Sequence, residues 1–418
     1  MKRCAVITFG CKVNQYESQA LQERIRREGF QVVGPDDDAE IYVLNTCTVT
    51  ETAFSEAAKT VRKIHRRRPA AAITVTGCAA DSNRDEFLGM PGVRRVVLHD
   101  EKSALPLLLD DPRLTDADLK PSIFDLRISG FDGHTRAFLK IQDGCDLRCS
   151  FCIIPQVRGA NVSRPLGEAV DEAERLAAAG YREIVLTGVH VGSYGKDVAG
   201  RSLIPDLIRR LLAIPGLDRV RLSSIEANEV DDALIDAMRD GGGRFCPHFH
   251  LPLQSGDEDV LRAMRRRYSP AQFLRTIDRI REKVDEPSFT TDVIVGFPTE
   301  TDAAFERTLE FCRRVGFSRI HVFPYSHRRG TDASSLPDLA PAVKKARHAA
   351  LETLGNDLAG AYAARFVGRE VEVLVEESGG PSRGYTERYL KATLPAGSRN
   401  DIVRARAVAA REGGLLCA

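Results

Sequence analysis

The first quarter of the chain alternates short apolar runs with stretches of helical spacing. CAVITFG (4–10), EIYVLNTC (40–47) and AAITVTGC (71–78) are brief and rich in β-branched residues, which predicts strands. Residues 15–29 and 51–68 carry apolar positions at helical spacing, and the second stretch ends in the basic run RKIHRRRP. That alternation predicts a parallel sheet wrapped by helices, followed by a linker in the polar, Pro-containing segment DDPRLTDADLKP (110–121). From Arg136 the pattern resumes: AFLKI, a helix near 166–180, EIVLTG, a helix near 203–213, RVRLSS, and a helix near 231–240. It continues with CPHFHLPL, helices across 257–284, FTTDVIVGF, a helix near 302–315, and SRIHVFPY. About six β/α units predict a partial (β/α)6 TIM-like barrel whose strand ends share one mouth. After a helical stretch at 341–365, REVEVLVEE, GYTERYLKATLP and DIVRARAVA predict a small all-β barrel of OB-like size. The fold class is therefore α/β with three parts: an N-terminal open parallel sheet domain (1–115), the partial barrel (131–360), and the C-terminal β-barrel (364–418).

A chain of 418 residues suits two or three domains and needs no disulfide staples. It is 43% hydrophobic and 28% charged, with no apolar run near the ~18 residues of a membrane span. The opening MKRCAVITFG passes straight into a strand pattern without signal-peptide architecture, so a cytoplasmic, membrane-free protein is expected. Lys and Arg number 60 against 59 Asp and Glu, which leaves no global field to attract nucleic acid, and any such contact must come from local patches. Ten cysteines in such a chain point to metal binding or catalysis rather than disulfides.

Cys145, Cys149 and Cys152 stand at C-x3-C-x2-C in DGCDLRCSFC, directly after the strand AFLKIQ. Three thiolates on one loop can hold three corners of a 4Fe-4S cube and leave the fourth iron open for a small molecule. The alternative is a zinc loop that borrows Cys246 or a histidine. Cys11, Cys47 and Cys78 share another context, each lying where an apolar run hands over to a loop. In an open parallel sheet those carboxyl ends share one edge, so the three would converge into a second site with an open iron, unless they are simply small buried side chains. Cys4, Cys246, Cys312 and Cys417 follow no such pattern and read as structural.

KIQDGCDLRCSFCIIPQVRG resembles the core motif of radical S-adenosylmethionine (SAM) enzymes. TFGCKVNQYES, VLNTCTVT, VTGC, LTGVHVGSYG, HLPLQSG, MRRRY and DVIVGFPTET add a resemblance to the methylthiotransferase family over the whole chain. That resemblance implies two 4Fe-4S clusters, an auxiliary one on Cys11, Cys47 and Cys78 and a radical-SAM one on Cys145, Cys149 and Cys152. It implies that one SAM methylates a sulfur while a second yields the 5′-deoxyadenosyl radical, so that an inert C–H becomes C–S–CH3. Further SAM contacts implied by family position or strand-end placement are Phe151, Thr187, Gly188, Ser224, Glu226, Gln254, Arg266 and Gly296, where turn glycines and a surface arginine are the plain alternatives.

The C-terminal barrel resembles the TRAM RNA-binding module. Arg383, Tyr385, Arg388, Tyr389 and Lys391 could combine stacking faces with phosphate partners, and KTVRKIHRRR (59–68) could seat a tRNA stem; an amphipathic strand pair and a solvated helix face explain them equally. Within the family the motifs look most like the branch that modifies N6-threonylcarbamoyladenosine (t6A) beside the tRNA anticodon. The alternatives are isopentenyladenosine in tRNA, an aspartate in a ribosomal protein, or a non-catalytic iron-sulfur RNA-binding protein. The expected partners are the tRNA anticodon stem-loop, an external electron donor such as a flavodoxin, and an undefined sulfur donor.

Overall fold

A computed structural model describes residues 1–48, 51–109 and 122–418, and the expected linker at 110–121 lies outside them. Five parallel strands form the N-terminal sheet in the order β2-β1-β3-β4-β5: β1 (Arg3–Thr8), β2 (Gln31–Val33), β3 (Ile41–Thr46), β4 (Ala72–Gly77) and β5 (Val93–Val96). Every residue of β3 is buried, as expected of a central parallel strand covered on both faces. Helix α1 (Lys12–Arg27) starts three residues before the apolar spacing suggests, because Cys11 is its N-cap and forms no side-chain cap that the sequence could announce. Helix α2 spans Glu51–Arg67.

The central strands are β6 (Arg136–Lys140), β9 (Glu183–Thr187), β10 (Arg219–Leu222), β11 (His248–His250), β12 (Ser288–Val295) and β13 (Arg319–Pro324), all parallel; a short pair, β7 (Gln142–Asp143) and β8 (Val162–Ser163), follows β6. Bridges Val220–Phe245 and Ser224–His250 join two three-stranded sheets into one curved six-stranded wall. Both of its edges are covered, which removes the pairing hazard of an open barrel. Helix α1 packs along β6, and the long helix Pro341–Ala364 packs along β13 and runs on to the C-terminal barrel. Tyr16 of α1 donates to Leu126 O (3.0 Å) and Glu172 (2.8 Å), both in buried surroundings, so the first two units share one core.

The C-terminal barrel closes through β14 (Glu370–Glu377), β15 (Ser382–Thr386), β16 (Lys391–Leu394), β18 (Gly414–Cys417) and β17 (Ile402–Arg411). Strand β18 is unannounced in the sequence, since GLLC is too short to show a period, yet its parallel pairing with β16 closes the barrel. None of the described helices is long and apolar enough to cross a membrane.

Candidate active site

Because β1, β3 and β4 are parallel and in register (Thr8–Asn45, Thr46–Gly77), their carboxyl ends lie side by side. Cys11 caps α1, Cys47 follows β3, and Cys78 opens helix α3 (Cys78–Ser82). The glycines before two of them let the loops close. Gly10 and Gly77 both have φ +91°, and an added Cβ would lie 2.5 Å from Cys47 Sγ at Gly10 and 2.3 Å from Thr46 O at Gly77. All three cysteines line one chamber of about 610 Å³, which extends into the barrel between α1 and the inner faces of β9–β13.

The second triad sits on the loop between β7 and a short helix, Ile154–Arg158. The loop is held by Cys145 N–H to Gly159 O (3.0 Å) and Cys152 N–H to Cys149 O (3.1 Å). Gly144 is required there: its φ is +70° and a Cβ would fall 1.8 Å from Ala160 O. Burial pushes the Cys145 thiol up to about 12 and Cys152 to about 11, so iron binding must displace protons from them. Cys149 lines a cavity of about 340 Å³ with Glu226 and Arg266, whose guanidinium pairs with Glu226 and donates to Cys149 Sγ at 3.4 Å. Cys152 lines another, of about 210 Å³, that shares Ile154, Asp292 and Phe323 with the main chamber.

Arg158 connects the two triads. It lies at the end of the helix that follows Cys152, and its Nε donates to Cys78 Sγ at 3.0 Å. Its other nitrogens donate to Asp143 (3.0 and 3.1 Å), Glu17 (3.0 and 3.3 Å) and Asn14 (2.7 Å). Ile153, Val157 and Cys78 pack together beneath it. A helix of this length spans only about 8 Å at 1.5 Å per residue, so Arg158 ties Cys78 to the loop of Cys152 through one short element.

Residues 3–98 match the model described as "Uncharacterized protein family UPF0004", and residues 139–312 match the Radical SAM superfamily. "Threonylcarbamoyladenosine tRNA methylthiotransferase MtaB" of Thermotoga maritima is 38% identical over 94% of this chain and 91% of its own length. The chain belongs to the methylthiotransferase family of radical SAM enzymes. "tRNA-2-methylthio-N(6)-dimethylallyladenosine synthase" of Paracoccus denitrificans is 37% identical over 97% of this chain and 94% of its own length. The structure of the radical S-adenosylmethionine methyltransferase TsrM from Kitasatospora setae, with cobalamin and a [4Fe-4S] cluster bound, matches with a TM-score of 0.60 at 16% identity. It covers 80% of this chain and 77% of TsrM, a likeness of fold alone.

The cofactors of this methylthiotransferase are two 4Fe-4S clusters and SAM, and two separate sets of three thiols are the donors such clusters take. Four thiolates on a tetrahedral zinc, each ~2.3 Å from the metal, would stand only about 3.8 Å apart. Among the described residues neither triad gathers three sulfurs within 4.8 Å, so the sulfurs are spread wider than one zinc ion demands. Cys246, the fourth zinc ligand considered from sequence, is buried among Arg221, Glu183 and Arg219, toward the opposite end of the barrel strands.

The expected SAM contacts divide among the three cavities. Thr187, Gly188 and Ser224 line the main chamber, Glu226 and Arg266 the one beside Cys149, and Phe151 and Gln254 the one beside Cys152. Gly296, with φ +72°, lines none of these three. Its N–H donates to Glu300 at 2.6 Å, and a Cβ there would meet Lys344 Cγ at 2.5 Å.

The C-terminal residues differ from an open RNA platform. Tyr385 and Tyr389 stack on each other at 4.8 Å, with Arg136 of β6 over both rings, and Tyr389 lines the main chamber beside His248. Arg388 donates to Glu286 O (2.9 Å) and Asp285 O (3.1 Å), which clamps the β-barrel onto its neighbour. Cation–π attraction and carbonyl acceptors draw these three inward, while Arg383 and Lys391 stay exposed.

Sequence reasoning assigned no role to the buried ionic network around Arg158. Lys102 reaches Glu17 at 2.5 Å, Lys140 reaches Glu17 at 2.8 Å and also pairs with Asp143, and His99 faces Asp143 at 3.2 Å. Burial alone would raise the Glu17 and Asp143 carboxyls, yet Arg158 and Lys140 hold both well below the usual range, with Lys102 adding to the effect on Glu17. Glu17, Asp143 and Arg158 all stand inside the motifs quoted above, but their burial has no sequence signal.

Proposed function

We propose that this methylthiotransferase converts t6A at position 37 of tRNA to its 2-methylthio derivative, in the cytoplasm. The observation that carries the reading is that Arg158, at the end of the helix that follows Cys152, donates to Cys78 Sγ in the chamber that Cys11, Cys47 and Cys78 line together. Substrate choice is supported by the t6A enzymes of Thermotoga maritima and Bacillus subtilis, at 38% and 36% identity. When bound, the clusters and SAM supply hydrogen abstraction and a methylated sulfur, which no acid–base group provides for an inert C–H bond. Cys11, Cys47 and Cys78 hold the auxiliary cluster, and Cys145, Cys149 and Cys152 the radical-SAM cluster. Arg158 fixes the spacing between them, and the Arg266–Glu226 pair orients groups beside Cys149. Enclosure by α1 and the barrel wall keeps the target adenine away from bulk water.

The assignment divides the chain into 1–115 for the auxiliary cluster, 131–360 for SAM, and 364–418 for RNA. The anticodon stem-loop would lie against Arg62, Lys63 and Arg66 of α2, exposed and without an ion pair among the described residues, and against exposed Lys391 and Arg383, the latter beside Glu377, while Arg67 and Arg68 are already engaged by Asp38. A flavodoxin-like protein would deliver electrons. Nucleoside mass spectrometry of tRNA from cells with and without the protein tests the reading. The 2-methylthio-t6A peak should vanish on deletion and return on complementation. A change confined to the methylthiolated dimethylallyl nucleoside would favour the second reading, for which the Paracoccus denitrificans relative speaks.

A further inference from the structure

Five cationic side chains line the main chamber: Lys12, Arg136, Arg158, Arg221 and Arg319. Three have carboxylate partners: Arg136 with Glu376 (2.8 Å), Arg221 with Glu183 (2.7 Å), and Arg158 with Glu17 and Asp143. Lys12 and Arg319 form no hydrogen bond or ion pair among the described residues. Both are exposed residues that open onto the chamber.

Facing it are His321 and the His250–Asp292 pair (3.1 Å). Asp292, the chamber's one lining carboxylate among the described residues, is thereby already engaged. His250, Asp292 and His321 lie close enough to suggest a divalent-cation site. Five surrounding positive side chains oppose that use and favour an anion.

We propose that Lys12, assisted by Arg319 and His321, binds a carboxylate on the N6 substituent of the substrate adenine. This rests on the t6A reading. The threonylcarbamoyl group carries a carboxylate and a hydroxyl, whereas a dimethylallyl group is hydrocarbon and would leave the two cations without an acceptor. The floor of the chamber thus acts as the specificity element between the two tRNA branches, with Tyr389 of the C-terminal barrel as its lower wall.

The test uses the full-length, cluster-loaded protein and synthetic anticodon stem-loops carrying t6A, the t6A methyl ester, or dimethylallyladenosine. Equilibrium affinity and methylthiolation are both measured. Wild type should bind the acid roughly 10- to 100-fold tighter than the ester, the range of one charge-assisted hydrogen bond. Lys12→Ala should bring that ratio close to one, Lys12→Arg should largely restore it, and iron content and substrate-free SAM cleavage should stay at wild-type levels. Should Lys12→Ala lose iron because it adjoins Cys11, Arg319→Ala, remote in sequence from all six cluster cysteines, carries the same comparison and should weaken the ratio in part. Undiminished preference for the acid in both variants would overturn the inference. Failure of wild type to methylthiolate the t6A stem-loop at all would instead overturn the substrate reading beneath it.

Discussion

Replacing Arg158 by methionine removes a side chain that touches both halves of the site, and its effect can be worked from the charges present. Three buried cations, Arg158, Lys102 and Lys140, face two carboxylates, Glu17 and Asp143, while dehydration, opposed by Asp143, keeps His99 below its ordinary value and hence neutral. The substitution therefore leaves two ammoniums opposite two carboxylates. No charge is stranded, so the full penalty of ~3–5 kcal/mol for breaking a buried pair is not reached. What disappears is the set of hydrogen bonds to Glu17, Asp143, Asn14 and Cys78, where each charge-assisted one contributes ~1.5–3 kcal/mol. The lysines recover part of that loss. A net destabilisation of about 3 kcal/mol corresponds to roughly 6–12 °C in the first melting transition of a domain this size. Because a chain of several domains does not unfold in two states, differential scanning calorimetry should follow that first transition in metal-free protein. Iron release to a chelator then reports on the loaded protein: the variant should lose the Cys78-bound cluster faster and keep the other. Arg158→Lys should rescue little, since an ammonium cannot span four acceptors in a planar fork. A melting point within about 2 °C of wild type, with equal iron release from both sites, would refute the reasoning.

Cys149→Ala should abolish 5′-deoxyadenosine formation by reduced protein, whereas Cys47→Ala should still cleave SAM but fail to methylthiolate RNA; equal loss of both activities would contradict the division of labour. Gly144→Ala forces a Cβ onto Ala160 O from a left-handed backbone position and should deplete the radical-SAM cluster while sparing the auxiliary one, as read by iron content and electron paramagnetic resonance. His248 is held well below the usual histidine value by burial first and by Arg221, His250 and Lys12 after it. The unfolded chain takes up that proton near pH 6.5 and the folded one does not, so stability is full above that pH and falls below it. The slope is at most about 1.4 kcal/mol per pH unit for one such proton. Melting temperatures from about pH 7.5 down to about 5.5 should show this decline, and His248→Gln should make it shallower, with His99, His134 and His321, lowered in the same sense, supplying the rest.

The strands that place the cysteines were legible because β1, β3 and β4 are short apolar runs bounded by glycine or polar residues, a signal carried within each segment. The start of α1 was not, since Cys11 caps it without a side-chain bond. Cys145, Cys149 and Cys152 stood out by their C-x3-C-x2-C spacing, and Cys11, Cys47 and Cys78 by a shared place at the ends of strands. Arg158 was not: an arginine in a polar motif looks like surface, and its burial depends on Glu17, 141 residues away, and on Cys78, 80 residues away. The same holds for Tyr389, whose left-handed turn (φ +64°) and inward aim are set by Arg136 and Arg221 of the neighbouring barrel.

These long-range partners change what the three parts are to one another. An RNA-binding module held only by a linker would leave the reaction chamber intact if it were removed. Here Tyr389 forms part of the chamber wall, and Arg219 and Arg221 donate to carbonyls of Glu372, Glu387 and Thr386 in the C-terminal barrel. The N-terminal domain is as closely built in, since α1 covers the open edge of the barrel and supplies Glu17 to the buried network and Lys12 to the chamber. The chamber is thus a joint product of all three units, and its charge is divided by role: cations fixed by carboxylates hold the wall in shape, and those without partners face the space a ligand fills. A substrate that reaches this space meets side chains from opposite ends of the chain, Lys12 of α1 and Tyr389 of the C-terminal barrel, so removing either end unit opens the chamber wall.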